Sequence, residues 1–249
     1  MLSNCLSSGL TLYFLLTEED EFRLDLRKLK LNPDYMISVM KIGFPAGLQG
    51  VVFSLSNVVI QTAVNSFGSD CIAGMTAGQN FDFVSYCIVN AFGQTAVTFT
   101  SQNYGAAHPD RCKKVYRLAM LFGIGIDLVF VLLLMLNKHS LIQIFTTDPK
   151  VIKYAMIRLN YAFAVHFLCG TYEIAGGCLR GMNRSMVPAL ICMIGTCGFR
   201  LIYVLVIFPF LRIPQMLLLV YPITWILTGI VMNTAYFRVR KTVFARMAR

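Results

Sequence analysis

Charge is what this chain has little of. Only 14% of its 249 residues are Asp, Glu, Lys or Arg, against about 25% in ordinary soluble domains. Together with 57% hydrophobic residues and a mean hydropathy of +0.65, that shortage excludes a water-soluble globular domain and reads as a membrane protein. The eight cysteines form no CxxC pair, so they read as small, soft packing residues and not as a disulfide framework or metal site. A Walker loop, GxGxxG, HExxH and GxSxG are all missing, which leaves no catalytic residue, metal or cofactor to expect and no ATP hydrolysis by this chain itself. The opening residues lack the basic leader and small-residue cleavage site of a signal peptide. No soluble domain interrupts the apolar segments, and no internal repeat is evident.

What is there is a succession of apolar segments of 20 or more residues, the pattern of a transmembrane α-helical bundle and not of alternating ten-residue barrel strands. The fold class expected is all-α, a polytopic transmembrane helix bundle. Residues 1–16 are apolar but short, and read as the end of a truncated transmembrane helix. Residues 17–35 interleave Phe22, Leu24, Leu26, Leu29 and Leu31 with Arg23, Arg27, Lys28 and Lys30. This segment reads either as an amphipathic cytoplasmic connector on the membrane face or as a plain solvated loop. Six spans are expected within 36–238, at 36–64, 70–105, 115–136, 151–179, 186–208 and 217–237, and a basic cytoplasmic tail at 239–249.

Positive charge sets the orientation. Sixteen Lys and Arg fall on one set of connections, including 23–41, 111–117, 180–184 and 238–249, whereas five (Lys138, Lys150, Lys153, Arg158, Arg212) fall on the other. The richer side belongs in the cytoplasm, C-terminus included. The net charge of +10 is then juxtamembrane charge facing anionic lipid. Its spread over four loops without a stacking platform argues against a nucleic-acid partner.

The second span is unusual. Asp82, Tyr86, Asn90, Gln94, Thr98 and Gln102 recur at every fourth residue, a stripe that drifts about 40° per step and curls round the helix. A carboxylate at mid-span costs about 2.5 to 3.5 kcal/mol, so Asp82 is expected to face protein or a wet cavity. On the first span, Gln49, Asn57, Gln61 and Asn65 keep the same spacing with Phe53 at the vacant step. These amides either glue helices or line a cavity. His166 and Glu173 lie on one face of the fourth span. By rise per residue, Asp82, Asp127 and Arg200 share a depth near the midplane. Asp82 and Glu173 are candidates for cation or proton coupling, with a fixed hydrogen-bonding role as the alternative. Arg200 and Asp127 are expected as structural intramembrane charges, Arg200 by pairing with a carboxylate, with substrate ligation by Arg200 and coupling by Asp127 as the alternatives. Met75, Met193, Tyr86 and Tyr203 are expected as adaptable or aromatic contacts in the cavity.

Three segments carry a resemblance: KIGFPAGLQGVVFSLSNVVIQTAVNSFG at 41–68, TAGQNFDFVSYCIVNAFGQTAVTFTSQNYGA at 76–106 and GGCLRGMNRSMVP at 176–188. With these the chain resembles the C-terminal six-helix lobe of the multidrug and toxic compound extrusion (MATE) transporters. The resemblance implies one lobe of a twelve-helix transporter, with two lobes forming a V around a cavity. It also implies entry of Na⁺ or H⁺ as coupling ion, driving out small organic, often cationic, compounds. Some members place a coupling acid where this chain has Phe53, so that role is vacant. Glu173, seven residues before Arg180, matches the acid of one branch and not that of the branch whose acid falls at Cys169. The acid of the second helix is matched by Asp82. An N-terminal lobe is then expected upstream in the same chain or in a second copy, unless the chain is a non-functional fragment. A lipid-linked polysaccharide flippase of the same superfamily and a seven-helix receptor are the rival readings. The tight turn at 180–185 counts against a receptor.

Overall fold

The computed structural model describes residues 2–18, 23–25, 30 and 32–247, without the side chains of 38, 42, 246 and 247. Nine of the nineteen residues of the connector expected at 17–35, namely 19–22, 26–29 and 31, therefore lie outside the described residues. The chain divides into two units, Met1–Met40 and Lys41–Arg249. In the first, α1 (Leu2–Thr17) buries none of its residues, and the Leu24 amide donates to the Leu15 carbonyl at 2.7 Å. Helix α2 (Pro33–Asn65) begins in this unit and continues into the second.

The second unit is built around α3 (Ser69–Gly105). Helices α4 (Pro109–Leu136), α6 (Pro149–Tyr161) and α7 (Leu168–Gly181) pack on it, and a short α5 (Lys138–Gln143) precedes α6. Prolines at the first helical position start α4 and α6, where the missing amide costs nothing. The Asp148 carboxylate caps α6 by accepting from the Lys150 amide at 2.8 Å. Between α2 and α3 the chain reverses at Gly68, whose φ of 91° suits a residue without a Cβ.

Small residues set how closely these helices approach. A Cβ on Gly177 of α7 would stand 2.5 Å from the Gly93 carbonyl oxygen of α3, and one on Gly181 would stand 2.8 Å from the Val97 carbonyl oxygen. Without a hydrophobic force between helices in lipid, such backbone approach is what dispersion has to work with. Three apolar clusters run along α3. Cys71 and Met75 join Ile60, Val64, Tyr203 and Phe208; Ala77 and Phe81 join Val131, Leu159 and Phe163; Val89 and Ala96 join Ile174, Leu179, Trp225 and Tyr236.

Beyond α7 come α8 (Met186–Cys192), a π segment (Met193–Gly198), the single turn α9 (Phe199–Ile202) and a second π segment (Tyr203–Ile207). Helices α10 (Pro214–Leu218) and α11 (Val220–Met247) complete the chain. The basic residues Arg238, Arg240 and Lys241 thus continue α11. Among the described residues, Pro33–Asn65, Pro109–Leu136, Met186–Phe210 and Pro214–Ala245 are long and apolar enough to cross a membrane, and Pro149–Val165 with Leu168–Gly181 makes a fifth span bent by 45°. Of the six spans expected, α3 does not meet that test. Its stripe of amides and hydroxyls lowers its hydropathy, and it relies on its neighbours for cover.

Candidate functional site

Asp82 of α3 meets Arg158 of α6. The Arg158 Nη2 and Nε groups lie 2.6 and 2.7 Å from the same carboxylate oxygen, Oδ2. The side chains are 15% and 7% exposed, so this is a largely desolvated pair. Oδ1 is buried and has no hydrogen-bond partner among the described residues. Gly78 makes the contact possible, because a Cβ there would come within 2.9 Å of Arg158 Cδ. The Arg158 Cζ also stands over the ring of Tyr221 of α11, 5.6 Å from its centroid.

Glu173 is held within α7. Arg180 Nη2 donates to Glu173 Oε1 at 2.7 Å across two turns. Gly93 clears the space, since a Cβ there would come within 3.1 Å of Glu173 Cγ. Beside this pair lies a cavity of about 560 Å³ whose wall includes Gln49, Phe53, Tyr86, Asn90, Gln94 and both members of the pair.

A third group is buried at the bend between α6 and α7. Ser85 Oγ donates to Asp127 Oδ1, Ser85 Oγ and His166 Nδ1 are 2.8 Å apart, and His166 Nδ1 is 3.2 Å from Asp127 Oδ2. With the one hydroxyl proton given to Asp127, the network closes when Nδ1–H of His166 faces both the serine oxygen and the carboxylate. The imidazole packs edge-on against Trp225, centroids 5.3 Å apart. The helix breaks here without proline, through a 3-10 turn at Phe163–Val165.

Arg200 sits on α9 between the two π segments and is 2% exposed. Its guanidinium stands over the Tyr221 ring at 4.7 Å and the Phe53 ring at 5.4 Å. Nε and Nη1 are buried with no hydrogen-bond partner among the described residues. A chamber of about 230 Å³ lies between Arg200 and the Asp82–Arg158 pair.

The comparisons with known proteins agree on what this arrangement is built into. The MatE family model matches residues 45–206, a segment that contains Asp82, Asp127, Arg158, His166, Glu173 and Arg200. The chain belongs to the MatE family. It is 24% identical over 173 residues to a probable multidrug resistance protein, YoeA, of Bacillus subtilis, covering 69% of this chain and 37% of that protein. It is 23% identical over 203 residues to a probable multidrug resistance protein, NorM, of Thermotoga maritima, covering 81% of this chain and 43% of the relative. Among solved structures, a crystal structure of MATE in complex with MaL6 superposes with a TM-score of 0.85 at 15% identity, over 97% of this chain and 55% of that one. The fold is therefore that of one MATE lobe, and the chain spans about half the length, or less, of the relatives it matches.

Within this MatE lobe the expected residues fall into separate places. Gln49, Tyr86, Asn90 and Gln94 line the large cavity with Glu173. Asn57 and Gln61 border a smaller one of about 260 Å³, with Gln79, Arg158 and Tyr221, and Gln61 also donates to Asn65 at 3.0 Å. Met75 and Tyr203 belong to the apolar core instead, the tyrosine hydroxyl donating to the Met216 carbonyl at 2.7 Å. Met193 lines none of these cavities. The carboxylate expected opposite Arg200 is absent among the described residues. Asp82 is taken by Arg158, which reaches it from the adjoining helix. Arg158 was expected in the outer connection. Its position eight residues into a span, counted as rise, was the signal that it lies inside. Ser85 was not singled out at all, although it stands three residues after Asp82 and so near it on the helix surface.

Proposed function

We propose that this chain is one lobe of a secondary efflux transporter that exports small organic compounds, cationic ones among them, in exchange for Na⁺ or H⁺. In this reading it lies in the cytoplasmic membrane with its C-terminus inside, and a second lobe, upstream in the same polypeptide or in another copy, completes the cavity. Membership in the MatE family supports the reaction class, and the excess of Lys and Arg on one set of connections supports the orientation.

The observation that carries the coupling role is the Asp82–Arg158 pair, with its second carboxylate oxygen buried and unpartnered beside a cavity. A cation arriving at that oxygen competes with Arg158 for the carboxylate charge. Loosening the pair weakens the polar tie between α3 and α6, the arm of the bent span that ends at Val165. Glu173 pairs with Arg180 within α7 at the wall of the large cavity, where the amides of Gln49, Asn90 and Gln94 offer hydrogen bonds to varied substrates and Tyr86 offers a ring face to a cation.

The test is ethidium accumulation and drug resistance in efflux-deficient cells producing the protein. Lower accumulation than in empty-vector cells, lost in Asp82→Asn and Glu173→Gln variants inserted at normal levels, is the expected result. Unchanged export in both variants would remove them from coupling. A surface-polysaccharide defect without any drug phenotype would point to a flippase.

A further inference from the structure

Arg200 is a charge that the efflux reading does not use. The residue is 2% exposed, and its Cζ stands over the rings of Tyr221 and Phe53. A ring quadrupole attracts the cation but supplies no lone pair in the guanidinium plane, where the N–H groups point outward and require acceptors. Two of its nitrogens, Nε and Nη1, are buried without one. Buried Arg is ordinarily paired, and the nearby carboxylate is already spent on Arg158 at 2.6 Å.

The chamber in front of Arg200 has a matching composition. Asp82 and Arg158 cancel each other, His166 is bound to Asp127 through Nδ1, and Arg200 is left as the uncompensated charge on the wall. Asn57 and Tyr86 add neutral donors, and Trp225, Tyr221 and Phe53 add flat apolar surface. At about 230 Å³, the space holds far more than one water's share of roughly 30 Å³. Arg200 itself is carried on one α turn between two π segments, and such widened turns are frequent at functional sites.

We infer that this chamber is an anion site, in which Arg200 binds the carboxylate of a small aromatic organic acid and the surrounding rings receive its planar body. The inference goes beyond the efflux reading. It concerns equilibrium binding at a different residue, so it stands or falls independently of gradient-driven export.

Trp225 is the single tryptophan of the chain and lines the chamber, so its fluorescence reports occupancy in the purified full chain. Para-nitrobenzoate, a quencher, is titrated against its quaternary-ammonium counterpart, para-nitrobenzyltrimethylammonium, and against sodium chloride. Expected is saturable quenching by the nitrobenzoate and not by the cation. Arg200→Gln should weaken it by about tenfold or more, the loss of a hydrogen bond to a charged group, while Arg200→Lys retains most of it. Non-saturable quenching, equal affinity for the cation, or an Arg200→Gln variant that binds like the parent overturns the proposal. If the glutamine variant does not fold, the lysine variant and the anion-over-cation preference of the parent decide. Displacement by chloride at the same concentrations would make this an inorganic-anion site and overturn the organic assignment.

Discussion

The closest backbone approach between α3 and α7 gives a sharp test of the packing that holds the paired charges. In Gly177→Ala, the new methyl would lie 2.5 Å from the Gly93 carbonyl oxygen and 3.3 Å from Ala96 Cβ. Ordinary contact is roughly 3.5 Å, so the helices must part by on the order of 1 Å. The obstacle is main chain and cannot rotate away. Overpacking of this kind costs about 1–3 kcal/mol. Against it stands the helix-propensity gain of Gly to Ala, about 1 kcal/mol. A second variant removes that ambiguity. Gly125 of α4 has nothing within 4 Å of its would-be Cβ, so Gly125→Ala collects the propensity gain without the clash. The difference between the two variants is then the overpacking term alone. At about 2–4 °C per kcal/mol for a domain of this size, it amounts to roughly 2–12 °C in Tm. Thermal unfolding in detergent, followed by circular dichroism, measures it. Gly177→Ala should melt below the parent and Gly125→Ala at or above it. If the two melt together, the close approach of α3 and α7 is wrong, and with it the placement of Glu173 against Gly93.

Arg158→Gln should destabilise by about 3–5 kcal/mol because it leaves Asp82 desolvated and unpaired, and Asp82→Asn/Arg158→Gln should recover part of that loss. A double-mutant cycle on thermal melts checks it, and additive losses would deny the pair. Ser85→Ala removes the hydroxyl donor of a carboxylate with 0% exposure and should cost about 1–3 kcal/mol. A melt equal to that of the parent would break the Ser85–Asp127–His166 network. Tyr203→Phe removes one hydrogen bond to Met216 in the core and should cost about 1 kcal/mol while leaving ethidium export unchanged. Lost export at normal stability would return Tyr203 to the cavity.

Much of this lobe is legible in the sequence because lipid leaves few choices. An apolar run of sufficient length must be a helix, and five of the expected spans appear as such. The stripe on α3 also carries over, with Tyr86, Asn90 and Gln94 on one cavity wall. What composition and spacing do not reveal is which helices exchange partners. Asp82 and Arg158 are 76 residues apart, and nothing local to either indicates that α6 brings the arginine across Gly78. The same holds for Asp127, whose nearest small neighbours in sequence are Gly123 and Gly125, and which acquires Ser85 from α3 and His166 from the bend between α6 and α7. Arg200 invited a carboxylate partner by simple charge balance, and the fold instead gives it two aromatic rings. The first π segment holds Gly195 and Gly198 and the second runs into Pro209, but glycine and proline mark a bend or an end of a helix as readily as a widened turn.

The central claim is that Asp82 links cation entry to the release of α6. The most direct measurement is the initial rate of ethidium transport in proteoliposomes under an imposed Na⁺ or H⁺ gradient, comparing the parent with Asp82→Asn. Gradient-stimulated transport in the parent, abolished in the variant although it reconstitutes equally well, is the predicted result. A variant that still responds to the gradient at the parental rate would contradict the coupling role of the Asp82–Arg158 pair.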